Sequence, residues 1–357
     1  MEKVKSQKES LPLSVLHISK DFKVVVSESE LNSKFITNKN YNYGEIHRSK
    51  YNPKEFVKTV IEDVSFGIRE KECFGLLGPN GVGKSTLLNT ITSNYLPTTG
   101  HIYFRGMDSF NSDDIIGYCP QEDILWDELS ILDHVTIFLK LRGVPDNLNK
   151  SLALQYIQYC QLEEHMNKPV EKLSGGTKRK LCILLATCVN PKQMIMDEPT
   201  SGIDPATRLF IWNLIKEMKE SGNPSIILTT HSMEEAQELC DRLTILINGR
   251  LVCIGSPEYL RMKYANSYIL EVQSSQQETI HECLFGSGGA FPSTEYKYES
   301  LSSDRFKYQI SIHTHELGKL FEIMENAMNN HTIMDYTISQ SNLEQVFIDF
   351  AKQFNIE

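Results

Sequence analysis

Two stretches of the chain carry residue types spaced for chemistry on a chain of phosphates. The first is Gly78-Pro79-Asn80-Gly81-Val82-Gly83-Lys84-Ser85-Thr86, which fits G-x-x-x-x-G-K-[S/T] at Gly78, Gly83, Lys84 and Ser85. Its glycines allow the backbone to curl so that several N–H groups point inward at an anion. Lys84 would reach the β- and γ-phosphates and the Ser85 hydroxyl would ligate Mg²⁺. The second stretch, Met194-Ile195-Met196-Asp197-Glu198, is an apolar run that ends in two acids. There Asp197 would hold Mg²⁺ through water, and Glu198 would orient and polarise an attacking water. Together they are equipped for hydrolysis of a nucleoside triphosphate.

These groups need elements to hold them. Cys73–Leu77 is an apolar run that reads as a buried strand, and Thr86–Thr92 reads as the first turns of a helix. Strand, glycine-rich turn and helix is the context in which the helix N-terminus adds positive potential. Upstream, Leu13–Ile18 alternates like a strand with Val15 as the misfit, and Val57–Ile68 resumes an apolar pattern. Between them, residues 27–55 are rich in Ser, Asn, Lys and Tyr and read as a long loop insertion. His101–Arg105 and Ile115–Gln121 read as short strands. From about Leu129 to Leu173 the pattern is helical, broken at Gly143-Val144-Pro145.

Strand and helix then alternate. Lys180–Val189, Leu209–Lys219 and Met233–Cys240 read as helices, and Met194–Met196, Ser225–Thr229 and Leu243–Ile247 as strands. Such alternation implies a largely parallel sheet flanked by helices. Asn248-Gly249 predicts a hairpin turn into Arg250–Gly255. The last hundred residues follow a different order: strand 268–272, helix 277–285, strands 296–298 and 305–312, helix 317–328, strand 333–338, helix 343–354. That is βαββαβ with a terminal helix, a small ferredoxin-like α+β domain. Residues 1–12 are polar and read as disordered.

At 357 residues the chain suits one large domain and a smaller one, and 40% hydrophobic content is ample for a core. A net charge of −10 opposes a role in coating nucleic acid, which needs surplus Lys and Arg. The eight cysteines are scattered without a C-x-x-C, as in a reducing compartment. The longest apolar run, Leu181–Val189, is about half the roughly 20 residues a membrane span needs. Met1–Ser10 has no apolar core and is no signal peptide.

Further stretches complete a constellation. Leu173-Ser174-Gly175-Gly176-Thr177-Lys178-Arg179-Lys180 puts a second glycine-rich turn ahead of an apolar helix. In order with the phosphate loop and the acidic strand end, it resembles the ATP-binding cassette (ABC) ATPases, whose signature is Leu-Ser-Gly-Gly-Gln; Thr177 replaces the Gln. The resemblance implies a P-loop fold of the ABC type, with a mixed sheet core and a helical subdomain at about 122–173. It implies that ATP and Mg²⁺ are bound, and that Ser174, Gly175 and Gly176 close over the nucleotide of a partner cassette. Gln121 matches the Q-loop glutamine, which meets Mg²⁺ and the attacking water. Ser201-Gly202-Ile203-Asp204 matches the D-loop at the dimer seam, and His231 the switch histidine near the γ-phosphate. The adenine-stacking aromatic falls on Phe22 in Ile18-Ser19-Lys20-Asp21-Phe22, with Tyr51 and Phe56 as alternatives.

Within that family the chain resembles the second, C-terminal cassette of the A subfamily, mostly lipid exporters. The stretches that carry this include Gly117-Tyr118-Cys119-Pro120-Gln121, His231–Ala236 and the ending Asp335–Phe347. The implied layout is a nucleotide-binding domain at 13–265 and a regulatory-like domain at 266–357. The implied partners are a second cassette, identical or not, and membrane-spanning transporter domains, which place the chain at a membrane's cytoplasmic face with no nucleic acid bound. Two other readings stay open at this level. One is a soluble cassette ATPase acting on ribosomes or nucleic acid, which the acidic balance and lone cassette oppose. The other is an idle regulatory cassette, which the presence of Lys84, Gln121, Asp197, Glu198 and His231 opposes.

Overall fold

A computed structural model of the protein describes residues 11–24, 46–48, 56–109, 116–221, 224–264, 267–286, 289–292, 294–311, 316–341 and 343–353. The chain divides into two compact units, residues 1–257 and 258–357.

The first unit holds two sheets. One is antiparallel, built from β1 (Leu13–Val24), β2 (Ile46–Arg48), β3 (Phe56–Ile68), β5 (Thr99–Phe104) and β6 (Met107–Asp108) in the order β2-β3-β1-β5-β6. The other is formed by β4 (Cys73–Leu77), β7 (Ile116–Cys119), β8 (Gln193–Asp197), β9 (Ser225–Thr230), β10 (Arg242–Ile247) and β11 (Arg250–Gly255), ordered β11-β10-β4-β9-β8-β7. From β10 to β7 its neighbours pair in parallel, and β11 closes it as an antiparallel hairpin. Asn248 (φ 48°) and Gly249 (φ 74°) make the predicted turn; positive φ at both positions matches the twist of the flanking strands.

Every residue of β4, β8 and β9 is buried, as in parallel strands covered on both faces. Alternation sorts their side chains into two cores. Met194, Met196, Ile226 and Leu228 join one core with Ile131, Val135, Ile157, Leu181 and Ile211. Ile195, Ile227, Phe74 and Leu76 join the other with Leu13, Val15, Phe66 and Leu87. The helices around the sheet are α1 (Lys84–Ile91), α2 (Ile131–Leu141), α3 (Asp146–Tyr159), α4 (Gly175–Thr187), α5 (Pro205–Ser221) and α6 (Met233–Leu239).

Some boundaries differ from the sequence reading. β1 runs to Val24 rather than Ile18, because it pairs with β3 as far as Val24↔Phe56 and is also bonded to β5. Val15 is no misfit there, since Leu13, Ser14 and Val15 are all buried. The insertion at 27–55 is not all loop: Ile46–Arg48 pairs antiparallel with Phe56–Lys58. The rest of that insertion, Tyr51 included, lies outside the described residues, as does 1–10. The helical region contains two α-helices, then only the single turns Glu163–His165 and Val170–Lys172 before α4.

The second unit runs β12 (Tyr268–Gln273), α8 (Gln277–Phe285), β13 (Tyr296–Ser300), β14 (Arg305–Ile310), α9 (Leu317–Asn329), β15 (Asp335–Gln340) and α10 (Leu343–Gln353). It is preceded by α7 (Pro257–Tyr264), which begins at the division between the units. The sheet is antiparallel throughout, ordered β13-β14-β12-β15. Leu270, Val272, Phe306, Tyr308 and Ile310 pack there with Ile280 and Leu284 of α8 and Leu320 and Met324 of α9. Among the described residues no helix is long and apolar enough to cross a membrane.

Candidate active site

Strand register brings the chemistry together. Leu77 pairs with Thr230, and Asp197 with Thr229, so the loops after β4, β9 and β8 leave the sheet at one level. Cys119 pairs with Met196, which puts Pro120-Gln121 beside them. Gly78, His231, Glu198 and Gln121 therefore all lie just past the carboxyl ends of adjacent parallel strands, where ligands of open α/β sheets bind.

The phosphate loop needs its glycines for space. A Cβ on Gly78 would sit 2.6 Å from the Leu246 carbonyl oxygen. Gly83, the N-cap of α1, has φ +106°, and a Cβ there would come 2.8 Å from Ile61 Cδ1. Lys84 turns back into the loop, its Nζ donating to the carbonyls of Gly78 (2.8 Å) and Pro79 (3.2 Å). The same ammonium pairs with Glu198 Oε1 at 3.1 Å, both side chains being almost fully buried. Val82 is a core residue, buried among Leu87, Leu88 and Phe74. Asn80 and Gly81 are exposed, and Ser85 and Thr86 are half-buried in the first turn of α1.

Glu198 is held from several sides. Its backbone is left-handed, φ 45°, uncommon for a residue with a side chain. Its N–H donates to Thr229 Oγ1 (2.9 Å) and to the Thr229 carbonyl (3.2 Å). The Thr229 hydroxyl in turn donates to Asp197 Oδ1 at 2.5 Å. His231 Nδ1, on a half-exposed ring, lies 3.2 Å from Glu198 Oε2. The Glu198 carboxylate thus bridges a lysine and a histidine. Tyr118 on β7 feels the same centre: burial first, then the Asp197 carboxylate, push its hydroxyl up to about 12.

One buried carboxylate at a strand end and a serine hydroxyl in the first turn of α1 are hard oxygen donors. They suit Mg²⁺, which is held through a few protein oxygens and substrate phosphates rather than a dense cage. A buried ammonium among loop carbonyls and a helix N-terminus suit the phosphates. The side chain of Gln121 is exposed, while its carbonyl accepts from Arg179 Nη1 at 3.2 Å.

The signature residues form a second group. Ser174 caps α4, its Oγ accepting from Thr177 N (3.3 Å) and lying 2.8 Å from Thr177 Oγ1, so the residue that departs from the family pattern grips the signature serine. Ser174 and Gly175 are exposed. Asp204 Oδ1 accepts from Thr207 N (3.0 Å) at the start of α5, a hydrogen bond that lowers the Asp204 pKa below the usual carboxylate value. A Cβ on Gly176 would lie 3.4 Å from Asp204 Oδ2, so the D-loop rests against the signature turn. Phe22 meets the Tyr95 ring edge-on, centroids 5.6 Å apart, with Lys20 Nζ 5.0 Å from its centre. Phe56 lies opposite Val24, two positions along the strand pair from Phe22.

Sequence reasoning missed three residues here. Thr229 bridges Asp197 and Glu198, and Arg179 of α4 reaches the main chain of both. Glu235 of α6 is buried and accepts from Thr200 Oγ1 (2.6 Å) and Trp212 Nε1 (3.1 Å), tying α6 to the residue before the D-loop and to α5 after it. A hydroxyl two positions before His231, on the strand beside the acidic one, was the signal that could have identified Thr229.

The chain is similar to known proteins in sequence and in fold. Residues 61–201 match the ABC transporter domain family. The chain is 37% identical over 308 residues to human ATP-binding cassette sub-family A member 13, covering 82% of this chain and 6% of that protein. To rat ATP-binding cassette sub-family A member 2 it is 34% identical over 297 residues, covering 82% of this chain and 12% of the relative. To the mouse cholesterol transporter ABCA5 it is 33% identical over 322 residues, covering 86% and 20%. The chain thus spans a fifth or less of the length of these curated relatives. Among solved structures, the ATP-binding subunit of an ABC transporter aligns with TM-score 0.55 and 24% identity, over 71% of this chain and 92% of that one. A dimeric post-hydrolysis state of an ATP-binding cassette bound to ADP and phosphate aligns with TM-score 0.55 and 23% identity, over 68% and 98%. With the phosphate loop, the acidic strand end and the switch histidine converging in one such fold, the chain carries an ATP-binding cassette of the ABC transporter ATPase family, and its relatives are A-subfamily members.

Proposed function

We propose that the chain binds ATP with Mg²⁺ and hydrolyses it, and that closure on a second cassette and reopening after hydrolysis drive transport, of lipids, through membrane-spanning domains. The observation that carries this reading is the Glu198 carboxylate, held at a strand end between Lys84 and His231 by a fixed backbone. In this reading the nucleotide supplies the phosphoanhydride that is cleaved; Ser85 directly, and Asp197 through water, would hold a Mg²⁺ ion, which would supply charge neutralisation there. Lys84 exchanges Glu198 for the phosphates, which frees that carboxylate to orient a water. His231 would stand near the γ-phosphate, and Gln121 would turn in from its exposed position toward the metal and the attacking water. Phe22 stacks on the adenine. Ser174, Gly175, Gly176 and Asp204 serve the nucleotide of the opposing cassette.

Lipid as the cargo rests on the A-subfamily relatives, one of which is described as a cholesterol transporter. The second unit takes the place of a ferredoxin-like regulatory domain, and the exposed Ile124 and Trp126 beyond Gln121 take the place of the contact with the membrane part. The test is ATP hydrolysis and nucleotide binding by wild type and Glu198→Gln. The variant should bind a fluorescent ATP analogue as wild type does while turnover falls by about 100-fold or more, the usual size of a lost general-base contribution. Equal turnover in the two proteins would sink the assignment.

A further inference from the structure

Arg179 lies in the second turn of α4 and is 3% exposed. In the basic run Lys178-Arg179-Lys180 it is the residue turned inward, whereas Lys180 Nζ lies 3.9 Å from the Phe210 ring centre. Its guanidinium donates in two directions. Towards the acidic strand end, Nε donates to the Pro199 carbonyl (2.8 Å), and Nη2 to the carbonyls of Asp197 (2.9 Å) and Glu198 (3.1 Å). Towards the end of β7, Nη1 donates to the carbonyls of Pro120 (2.6 Å) and Gln121 (3.2 Å) and to Asp123 Oδ1 (3.2 Å).

We infer that Arg179 is a positioning residue, which sets Glu198 and Gln121 in mutual register and makes both follow the signature helix. Three successive carbonyls, 197 to 199, converge on one planar fork, and they do so with Glu198 in the left-handed region. That conformation persists only where the surroundings over-determine it, and here Arg179 holds its carbonyl while Thr229 holds its N–H. The fork's donors are fixed in one plane, so the Gln121 loop cannot move relative to Glu198 without breaking hydrogen bonds to a buried cation. A rigid displacement of α4 therefore reaches both groups at once, and a shift of about 1 Å at a reacting group can cost about 100-fold in rate. A lysine in this place has three donors on a point charge and cannot serve both strand ends in one plane.

This inference rests on the reading of Glu198 as the water-orienting group. It is tested on the full chain with Arg179→Lys, Arg179→Gln, Asp123→Asn, Glu198→Gln and the double variant Arg179→Lys/Glu198→Gln. The measurements are kcat, KM, binding of a fluorescent ATP analogue and the thermal midpoint. The hydrogen bonds of Arg179 go to the ends of β7 and β8 and not, among the described residues, to the phosphate loop, so Arg179→Lys should keep KM and analogue affinity within about 2-fold while kcat drops by about 100-fold. Arg179→Gln should be at least as slow. Asp123→Asn, which takes the charge from one acceptor of the fork and so weakens that hydrogen bond, should lower kcat by a smaller factor at unchanged KM. The double variant should be slower than Glu198→Gln by far less than the factor that Arg179→Lys costs the wild type, because most of that loss acts through the Glu198 carboxylate and only the remainder through Gln121. Wild-type kcat in Arg179→Lys overturns the inference, as does a parallel loss of nucleotide binding and turnover, or an additive double variant. Should neither Arg179 variant fold, a wild-type kcat in Asp123→Asn overturns it instead. Wild-type turnover in Glu198→Gln removes the underlying assignment together with this inference, whereas an inactive Glu198→Gln beside a normal Arg179→Lys removes only the role of Arg179.

Discussion

Seven of the eight thiols are buried, and only Cys283 is exposed. Burial pushes Cys119 up to about 11, and Cys160 and Cys188 up to about 12; Cys240 is raised first by its hydrogen bond with Cys73. A raised thiol value depletes the reactive thiolate at every pH below it, so near pH 8 these groups are both unreachable and protonated. A thiol–disulfide reagent at pH 8 should therefore consume one equivalent quickly in the native protein and eight after denaturation. Two or more fast equivalents would mean that a core strand or helix opens readily. At this scale much was legible, because Lys84, Asp197, Glu198 and His231 stand in patterns set by phosphate chemistry, and the structure brings them together. Arg179 was not legible, and Thr229 left only the faint signal of a hydroxyl two positions before His231. Arg179 acts mainly on main-chain carbonyls and Thr229 partly on a main-chain N–H, and no residue type at the receiving end marks such a bond.

The elements show the same division between local and distant causes. α2 carries its own start signal: Ser130 Oγ accepts from Asp133 N (3.1 Å), and the Asp133 carboxylate accepts from Ser130 N (3.1 Å) in return. This capping box satisfies orphan donors of the first turn, and removing such a serine typically costs about 1 kcal/mol. Hydrogen bonds from Ser130, side chain first, lower the Asp133 pKa below 3.8. A carboxylate with a depressed folded value stabilises the protein above its ordinary value and loses that contribution as pH falls through the folded one. Ser130→Ala should thus lower the unfolding free energy by about 1 kcal/mol near neutral pH, and the difference should narrow as pH drops below about 3.8. A gap that stays constant with pH would separate Asp133 from the cap. Helices were legible because their signals are local in this way. The extent of β1 and the strand at Ile46–Arg48 were not, since both depend on partners across the sheet, chiefly β3.

At the scale of the molecule, the phosphate loop and the signature turn differ in what already engages them. Lys84 is buried against Glu198 and the loop carbonyls, whereas Ser174 and Gly175 at the start of α4 are exposed and bonded only locally. If the signature serves a nucleotide on an opposing copy, damage to the two motifs should be complementary. Lys84→Ala removes the phosphate grip but leaves a sound signature, and Ser174→Arg does the reverse. Each variant alone should be inactive, since every pair of identical copies combines one defect twice. Mixed one to one, half of the pairs are heterologous, and each of those holds one site with a sound loop facing a sound signature. Turnover should then recover to roughly a quarter of wild type, given a two-fold symmetric pair. Wild-type turnover per molecule should also rise with protein concentration, because association governs the population of closed sites. A mixture as inactive as its components, beside wild-type turnover that does not change on dilution, would show that each phosphate loop works without a second copy. An inactive mixture from a wild type that gains activity only with another cassette would assign the missing signature to a different chain.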